Sequence, residues 1–228
     1  MRLNNAVLLL AGLALLALPL VAAAATLNEI RIDQTSTDND EYFELAGDPG
    51  ESLDGLTLIV IGDGATGSGT IEAVVDLTGY AIQADGVFAM GEATFTGTCG
   101  SIDAVGDLNF ENSDNVTFFL LDGFTGALAD DLDTDDDGTL DATPWTTLVD
   151  GVSLVETLDS GDMYYADAIV GPDDTFVPGH VAFCGGIWHI LDFDLCTATE
   201  TPGEPSDDMC GSVPTDTQNW GGLKALYR

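Results

Sequence analysis

Basic residues are what this chain has least of: 4 lysines and arginines stand against 40 aspartates and glutamates in 228 residues, a net charge of −36. Arg2 lies in the N-terminal leader, so the rest of the chain carries only Arg31, Lys224 and Arg228. Phosphate backbones are bound by lysine and arginine displacing counterions, and a surface this acidic repels them; direct nucleic-acid binding is set aside. There are 2 histidines, His180 and His189. A metal pair or an acid–base pair built on them would need a third ligand or a nucleophile in register, and none is evident. No serine stands in a G-x-S-x-G frame and no cysteines form a C-x-x-C pair, which removes the usual signatures of serine hydrolases and zinc ribbons. Close carboxylate pairs carry no signal for glycoside hydrolysis, because 40 acids produce them by chance. The chain is expected to have no catalytic activity.

One long apolar run is present, and it comes first. Met1–Asn5 is a short n-region with one arginine, Ala6–Val21 is apolar, and Ala22–Ala25 offers a small-residue cleavage site. This is the pattern of a secretion signal, with the cut after Ala24 or Ala25. The rival reading is an uncleaved anchor, but no positive cluster follows the run. No later segment is long and apolar enough to span a bilayer. The expected address is therefore outside the cytoplasm: secreted, at the cell surface, or in the periplasm. Cys99, Cys184, Cys196 and Cys210 all follow the leader. In an oxidising compartment an even number of cysteines most simply means two disulfides. Three connectivities are open; the turn-rich T-P-G-E-P segment favours Cys196–Cys210, leaving Cys99 for Cys184.

An acidic chain can be disordered, but 45% hydrophobic residues and a mean hydropathy of +0.19 argue for a folded core. Short β-branched and aromatic segments alternate with glycine- and aspartate-rich turns. Strands are expected at Leu27–Asp33, Glu41–Ala46, Leu56–Gly62, Thr70–Leu77, Val87–Gly91, Val116–Leu121, Gly151–Glu156 and Gly186–Leu191. In Glu41–Leu45 the alternation puts Tyr42 and Glu44 on one face and Phe43 and Leu45 on the other, as in a half-buried strand. Leu58–Ile61 is apolar throughout, as in a strand covered on both faces. Gly62–Gly69 reads as a flexible hairpin loop. Strands at this spacing indicate an all-β sandwich. Residues 1–25 form the signal peptide, 26–157 the sandwich, 158–195 additional strands packing on it, and 196–228 an acidic linker with an irregular, amphipathic basic tail. The tail, with Trp220, Leu223, Lys224, Leu226, Tyr227 and Arg228, suits docking to an anionic envelope component; a disordered terminus is the plainer reading.

The segments L-N-E-I-R-I-D (Leu27–Asp33), D-N-D-E-Y-F-E-L (Asp38–Leu45) and S-L-D-G-L-T-L-I-V-I-G-D-G (Ser52–Gly64) resemble the opening of a bacterial lamin-tail domain. L-N-F-E-N-S-D-N-V-T (Leu108–Thr117) and D-L-D-T-D-D-D-G-T-L-D (Asp131–Asp141) resemble the same group. Such domains accompany secreted endonuclease/exonuclease/phosphatase-type nucleases. The resemblance implies an immunoglobulin-like β-sandwich that serves as an accessory module without catalytic residues. No later segment has the length or the histidines to supply the nuclease.

The strongest chemical signal is D-T-D-D-D-G-T-L-D, residues 133–141. A calcium loop uses oxygen ligands at positions 1, 3 and 5, glycine at 6 for a sharp bend, a backbone carbonyl at 7 and an acid at 9. Asp133, Asp135, Asp137, Gly138, Thr139 and Asp141 fill those positions. Pro144 occupies position 12, where an EF-hand has its bidentate glutamate, so Asp131 or a carboxylate from another strand must complete the shell. Crowded aspartates repel one another unless a cation neutralises them; the alternative is a solvated acidic hairpin. Asp38, Asp40 and Glu41 form a second cluster that could hold an ion, though its spacing favours a solvated turn. The expected function is a calcium-binding, non-catalytic module for adhesion, envelope interaction or self-assembly. The alternative is an accessory subunit or relic of a secreted hydrolase acting in trans.

Overall fold

The computed structural model describes residues 25–192, apart from 36, 38, 66, 97–99 and 159–161, together with 202–203. Residues 1–24, the acidic linker apart from residues 202–203, the basic tail, and Cys99, Cys196 and Cys210 lie outside the described residues. Wherever β-branched and aromatic residues run between glycine and aspartate turns, the chain is extended. The strands are β1 (Thr26–Arg31), β2 (Tyr42–Ala46), β3 (Leu56–Gly64), β4 (Gly67–Asp76), β5 (Val87–Glu92), β6 (Ala104–Gly106), β7 (Val116–Asp122), β8 (Thr147–Leu154), β9 (Ala168–Val170), β10 (His180–Cys184) and β11 (Ile187–Ile190).

They form two mixed sheets, ordered β11-β10-β1-β2-β5-β6 and β4-β3-β7-β8-β9. All neighbours are antiparallel except β5–β6 and β8–β9. The sheets pack face to face as a β-sandwich, with Ile30, Phe43, Leu45, Phe88 and Met90 of the first meeting Leu58, Val60, Phe118, Leu120 and Val152 of the second. Leu27 donates its backbone N–H to Asp150 of β8 at 2.9 Å, joining the sheets beside a bulge in β1. Segment 158–192 supplies β9, which pairs with β8, and β10, which inserts β1 between itself and β2. Among the described residues no helix is long and apolar enough to cross a membrane.

The 62–69 segment is not the loose loop expected of its glycines. β3 and β4 run through it, with Gly64 paired to Gly67, and bulges at Val60/Ile61 and Gly62/Asp63 absorb the twist. A second difference concerns the faces of the strands. Tyr42 and Glu44, assigned to the open face of a half-buried strand, are fully buried, as are Glu29, Arg31 and His180 on the same side of the first sheet. Phe95 covers Tyr42 edge-on with ring centres 5.9 Å apart, and Gly203 donates its N–H to Glu44 at 2.7 Å. Phe95 and the Ser101–Gly203 pair of segments, tied by Ser101 N–H to the Pro202 carbonyl at 2.8 Å, roof this layer. The outer face of the second sheet is roofed as well. There Ile59, Ile61, Ile71, Phe119 and Leu121 pack against Leu132, Phe124, Leu140 and Trp145 of the long β7–β8 connection.

Candidate metal centre

The aspartate loop lies within that β7–β8 connection and is fastened to the edge of β4. Ile71 donates to the Asp130 carbonyl at 2.9 Å, Leu132 to the Gly69 carbonyl at 2.9 Å, and Ala129 to the Ile71 carbonyl at 2.8 Å. These bonds extend the sheet by a short irregular segment, and Leu132 anchors it in the outer apolar layer. Gly69 permits the approach. Its φ is +88°, and a Cβ there would come within 2.6 Å of the Asp133 Cβ and 2.7 Å of its backbone nitrogen.

Beyond Leu132 the chain turns around the Asp133 carboxylate, which is 0% exposed. One oxygen accepts the Asp137 N–H at 3.2 Å; the other accepts the Gly138 N–H at 2.9 Å and the Tyr165 hydroxyl at 2.9 Å. Gly138, the expected bend residue, has φ +82°, a backbone region that side chains disfavour. Asp141 closes the loop by accepting the Thr134 N–H at 2.9 Å and its hydroxyl at 2.5 Å. The hydroxyl and backbone of Thr134 hold the Asp141 carboxyl below the usual carboxylate range.

Asp133, Asp135 and Asp141 each bring a carboxylate oxygen within 4.8 Å of the other two. Asp131 and Asp137 stand beside this trio. Asp131 accepts the Asp133 N–H at 3.2 Å, and Asp137 accepts the Thr139 N–H at 2.8 Å; Thr139 is exposed. Repulsion from Asp137 first, then loss of solvent, then Asp141 and Asp133, raises the Asp135 pKa. Such a trio is the donor set of a hard cation. Tyr165 and Thr134, which orient two of the three carboxylates, carried no sequence signal, since a tyrosine 32 residues from its partner is invisible to local spacing.

A second group of carboxylates gathers Asp63, Glu72, Glu111, Asp114 and Asp162 from the β3–β4 hairpin, the turn before β7 and the segment after β8. Burial first, then the charges of Glu111, Asp63 and Asp114, pushes the Glu72 carboxyl up to about 7. Neither histidine belongs to such a group among the described residues. His180 instead lies in the buried layer of the first sheet, its Nε2 2.7 Å from Glu29 and 3.0 Å from the Tyr42 hydroxyl, and its Nδ1 3.2 Å from the Asp192 carbonyl. His189 pairs with Ala182 across β10–β11. Cys184 is disulfide-bonded, and the other three cysteines lie outside the described residues.

The solvated turn expected at Asp38, Asp40 and Glu41 is not what forms. Asp38 lies outside the described residues, but Asp40 is 1% and Glu41 4% exposed. Glu41 accepts the Phe110 N–H with both oxygens, at 2.9 and 3.2 Å, and Asp40 accepts the Thr96 N–H at 2.6 Å. Two crossing loops that lack strand partners use these acids instead, which draws the carboxylates inward. No family model matches the chain, and neither a curated protein nor a solved structure is similar to it.

Proposed function

We propose that this chain is an exported, non-catalytic module of the immunoglobulin-like, lamin-tail-like kind, which binds calcium through residues 133–141 and serves adhesion or envelope interaction at the bacterial cell surface. The observation that carries this reading is the convergence of Asp133, Asp135 and Asp141 around a glycine bend, with Asp133 oriented by three donors. Preorganised oxygens of like charge are costly without a cation and favourable with one. Asp131, Asp137, the Thr139 carbonyl and water complete the shell, Asp137 by rotating away from Thr139. At the weak affinities of extracellular modules, millimolar calcium adds about 1–2 kcal/mol of stability.

Scanning calorimetry tests it. The melting temperature is expected to rise between EGTA and 5 mM calcium, and Asp135→Asn, at an exposed position, is expected to weaken calcium binding without lowering the EGTA value. A melting temperature that calcium leaves in place removes the site. Zymography on DNA and polysaccharides is expected to be blank; a cleared zone would replace this reading with an accessory hydrolase.

A further inference from the structure

The end of the leader offers two cuts that local sequence does not separate. A cut after Ala24 has alanines at 22 and 24 behind it, and a cut after Ala25 has alanines at 23 and 25, so both fit the small-x-small pattern. The fold distinguishes them. Ala25 is 0% exposed and belongs to the apolar core between the sheets, in one cluster with Leu27 and Ile82. Thr26, the first residue of β1, is exposed and pairs with Ala46. A chain that starts at Thr26 therefore lacks a core residue, whereas one that starts at Ala25 keeps the whole described core.

A carboxylate waits at the backbone nitrogen of Ala25. That nitrogen donates to Glu51 Oε1 at 3.0 Å, while Glu51 Oε2 accepts the Asp48 N–H at 3.1 Å. The Glu51 main chain is fixed from both sides: its N–H donates to the Asp48 carbonyl at 2.9 Å, and its carbonyl accepts the Ile82 N–H at 2.9 Å. Gly47 makes room for the pair, since a Cβ there would come within 2.7 Å of Glu51 Oε2 and 3.4 Å of the Ala25 Cα. A carboxylate bonds more strongly to a charged donor than to a neutral amide. Cations are scarce here. Arg31 is the one lysine or arginine among the described residues, and it lies 3.5 Å from His180 within the buried layer of the sheet. Hydrolysis of the 24–25 peptide bond supplies another: water is consumed, the Ala24 carboxylate leaves with the leader, and the amine left on Ala25 takes up a proton.

We infer that a leader peptidase cuts between Ala24 and Ala25, and that Glu51 then binds the new α-ammonium as an ion pair that fastens the start of β1. This rests on the export reading above. Processing converts a neutral hydrogen bond into a charged one at a site the fold already holds in place. The full-length precursor, expressed in a bacterial host, is followed by N-terminal sequencing and intact mass. Ala25 is expected as the first residue. A cleaved chain that begins anywhere else overturns the inference and leaves export standing; a chain that keeps its leader overturns both. The ion pair is read from the pH dependence of labelling with an amine-reactive ester, with Lys224, the one lysine of the chain, as internal reference. Half-maximal labelling of the Ala25 amine is expected about one pH unit higher in the parent than in Glu51→Gln, roughly a tenfold difference in free amine at fixed pH. Burial alone would move the midpoint the other way. The parent unfolded in urea gives a second reference that does not depend on the variant's folding, and its midpoint is expected to lie below that of the folded protein. A folded midpoint equal to or below both references overturns the ion pair.

Discussion

The two outer faces of the sandwich meet the same requirement with opposite chemistry. Each sheet buries part of its outer face under loops. The five-stranded sheet fills its outer face with Ile59, Ile61, Ile71, Phe119 and Leu121. The six-stranded sheet fills the equivalent space with Glu29, Arg31, Tyr42, Glu44 and His180. There Glu29 accepts both the Tyr42 hydroxyl and a short contact from His180 at 2.7 Å, while Asn28 donates to Glu44 at 2.5 Å. An apolar layer tolerates imperfect partners and is sensitive to volume. A buried ionic layer holds only while every member has its partner.

That contrast is most directly broken by single and combined replacement. Glu29→Leu strands the partners of a buried charge and is expected to cost about 3–5 kcal/mol in urea unfolding. Phe119→Ala is expected to cost about as much, by leaving a cavity. The layers part company when whole groups are exchanged. Glu29→Leu, Arg31→Met and His180→Leu together are expected to recover most of the single-variant loss, as exchanging a whole buried ionic group for apolar side chains does elsewhere. If the triple variant is less stable than Glu29→Leu, the polar layer is more than a substitute for an apolar one.

Titration sharpens the contrast next. Burial first, then the facing charge of Glu29, pushes the Glu44 carboxyl up from 4.5 to about 8, and Glu72 rises to about 7. With raised values the folded state holds protons that the unfolded chain releases, so stability is complete below about pH 4.5 and erodes as pH climbs to about 8. In EGTA the protein is expected to lose on the order of a few kcal/mol between pH 5 and 8, mostly through Glu44, since Glu72 is partly open to solvent. Glu44→Gln is expected to flatten that slope, whereas Phe119→Ala lowers the whole curve without changing its shape.

Two smaller effects report on the apolar side, where the aspartate loop is attached. Gly69→Ala, at φ +88° and facing the Asp133 backbone, is expected to cost more than about 1 kcal/mol and to weaken calcium binding, by lifting the loop off β4. Tyr165→Phe removes one donor of three from Asp133 and is expected to cost about 1 kcal/mol by chemical denaturation, with the loop still in place.

The apolar face was the legible one. Leu58–Ile61 is apolar at every position, and a run without polar interruptions has to be covered on both sides. Glu29, Arg31, Tyr42 and Glu44 alternate with core residues as solvent-facing positions do, and no local pattern distinguishes a roofed polar face from a wet one. The roof comes from Phe95, Ser101 and residues 202–203, remote in the chain from β1. β6 and β9, with 3 residues each, are too short for periodicity to register, and β10 is confined between Gly179 and the Gly185–Gly186 turn. Spacing alone identified the aspartate loop, because its bend and its repeated acids are local. The Asp63–Glu72–Glu111 group was hidden among 40 acids. Asp40 was misjudged because an acid in a turn is ordinarily solvated, and its burial depends on Thr96.

β1 sits between β2 and β10, and Arg31 stands opposite His180 across 149 residues of chain. Pairings so distant in sequence close slowly, since loop entropy is lost before contacts repay it. Among the described strands, β1 is therefore late to find both neighbours. Until residue 184 has arrived, Glu29 and Arg31 remain in water and the β1 edge stays open to any strand nearby. The six-stranded sheet is incomplete until β10 arrives, and until then β1 has an unpaired edge.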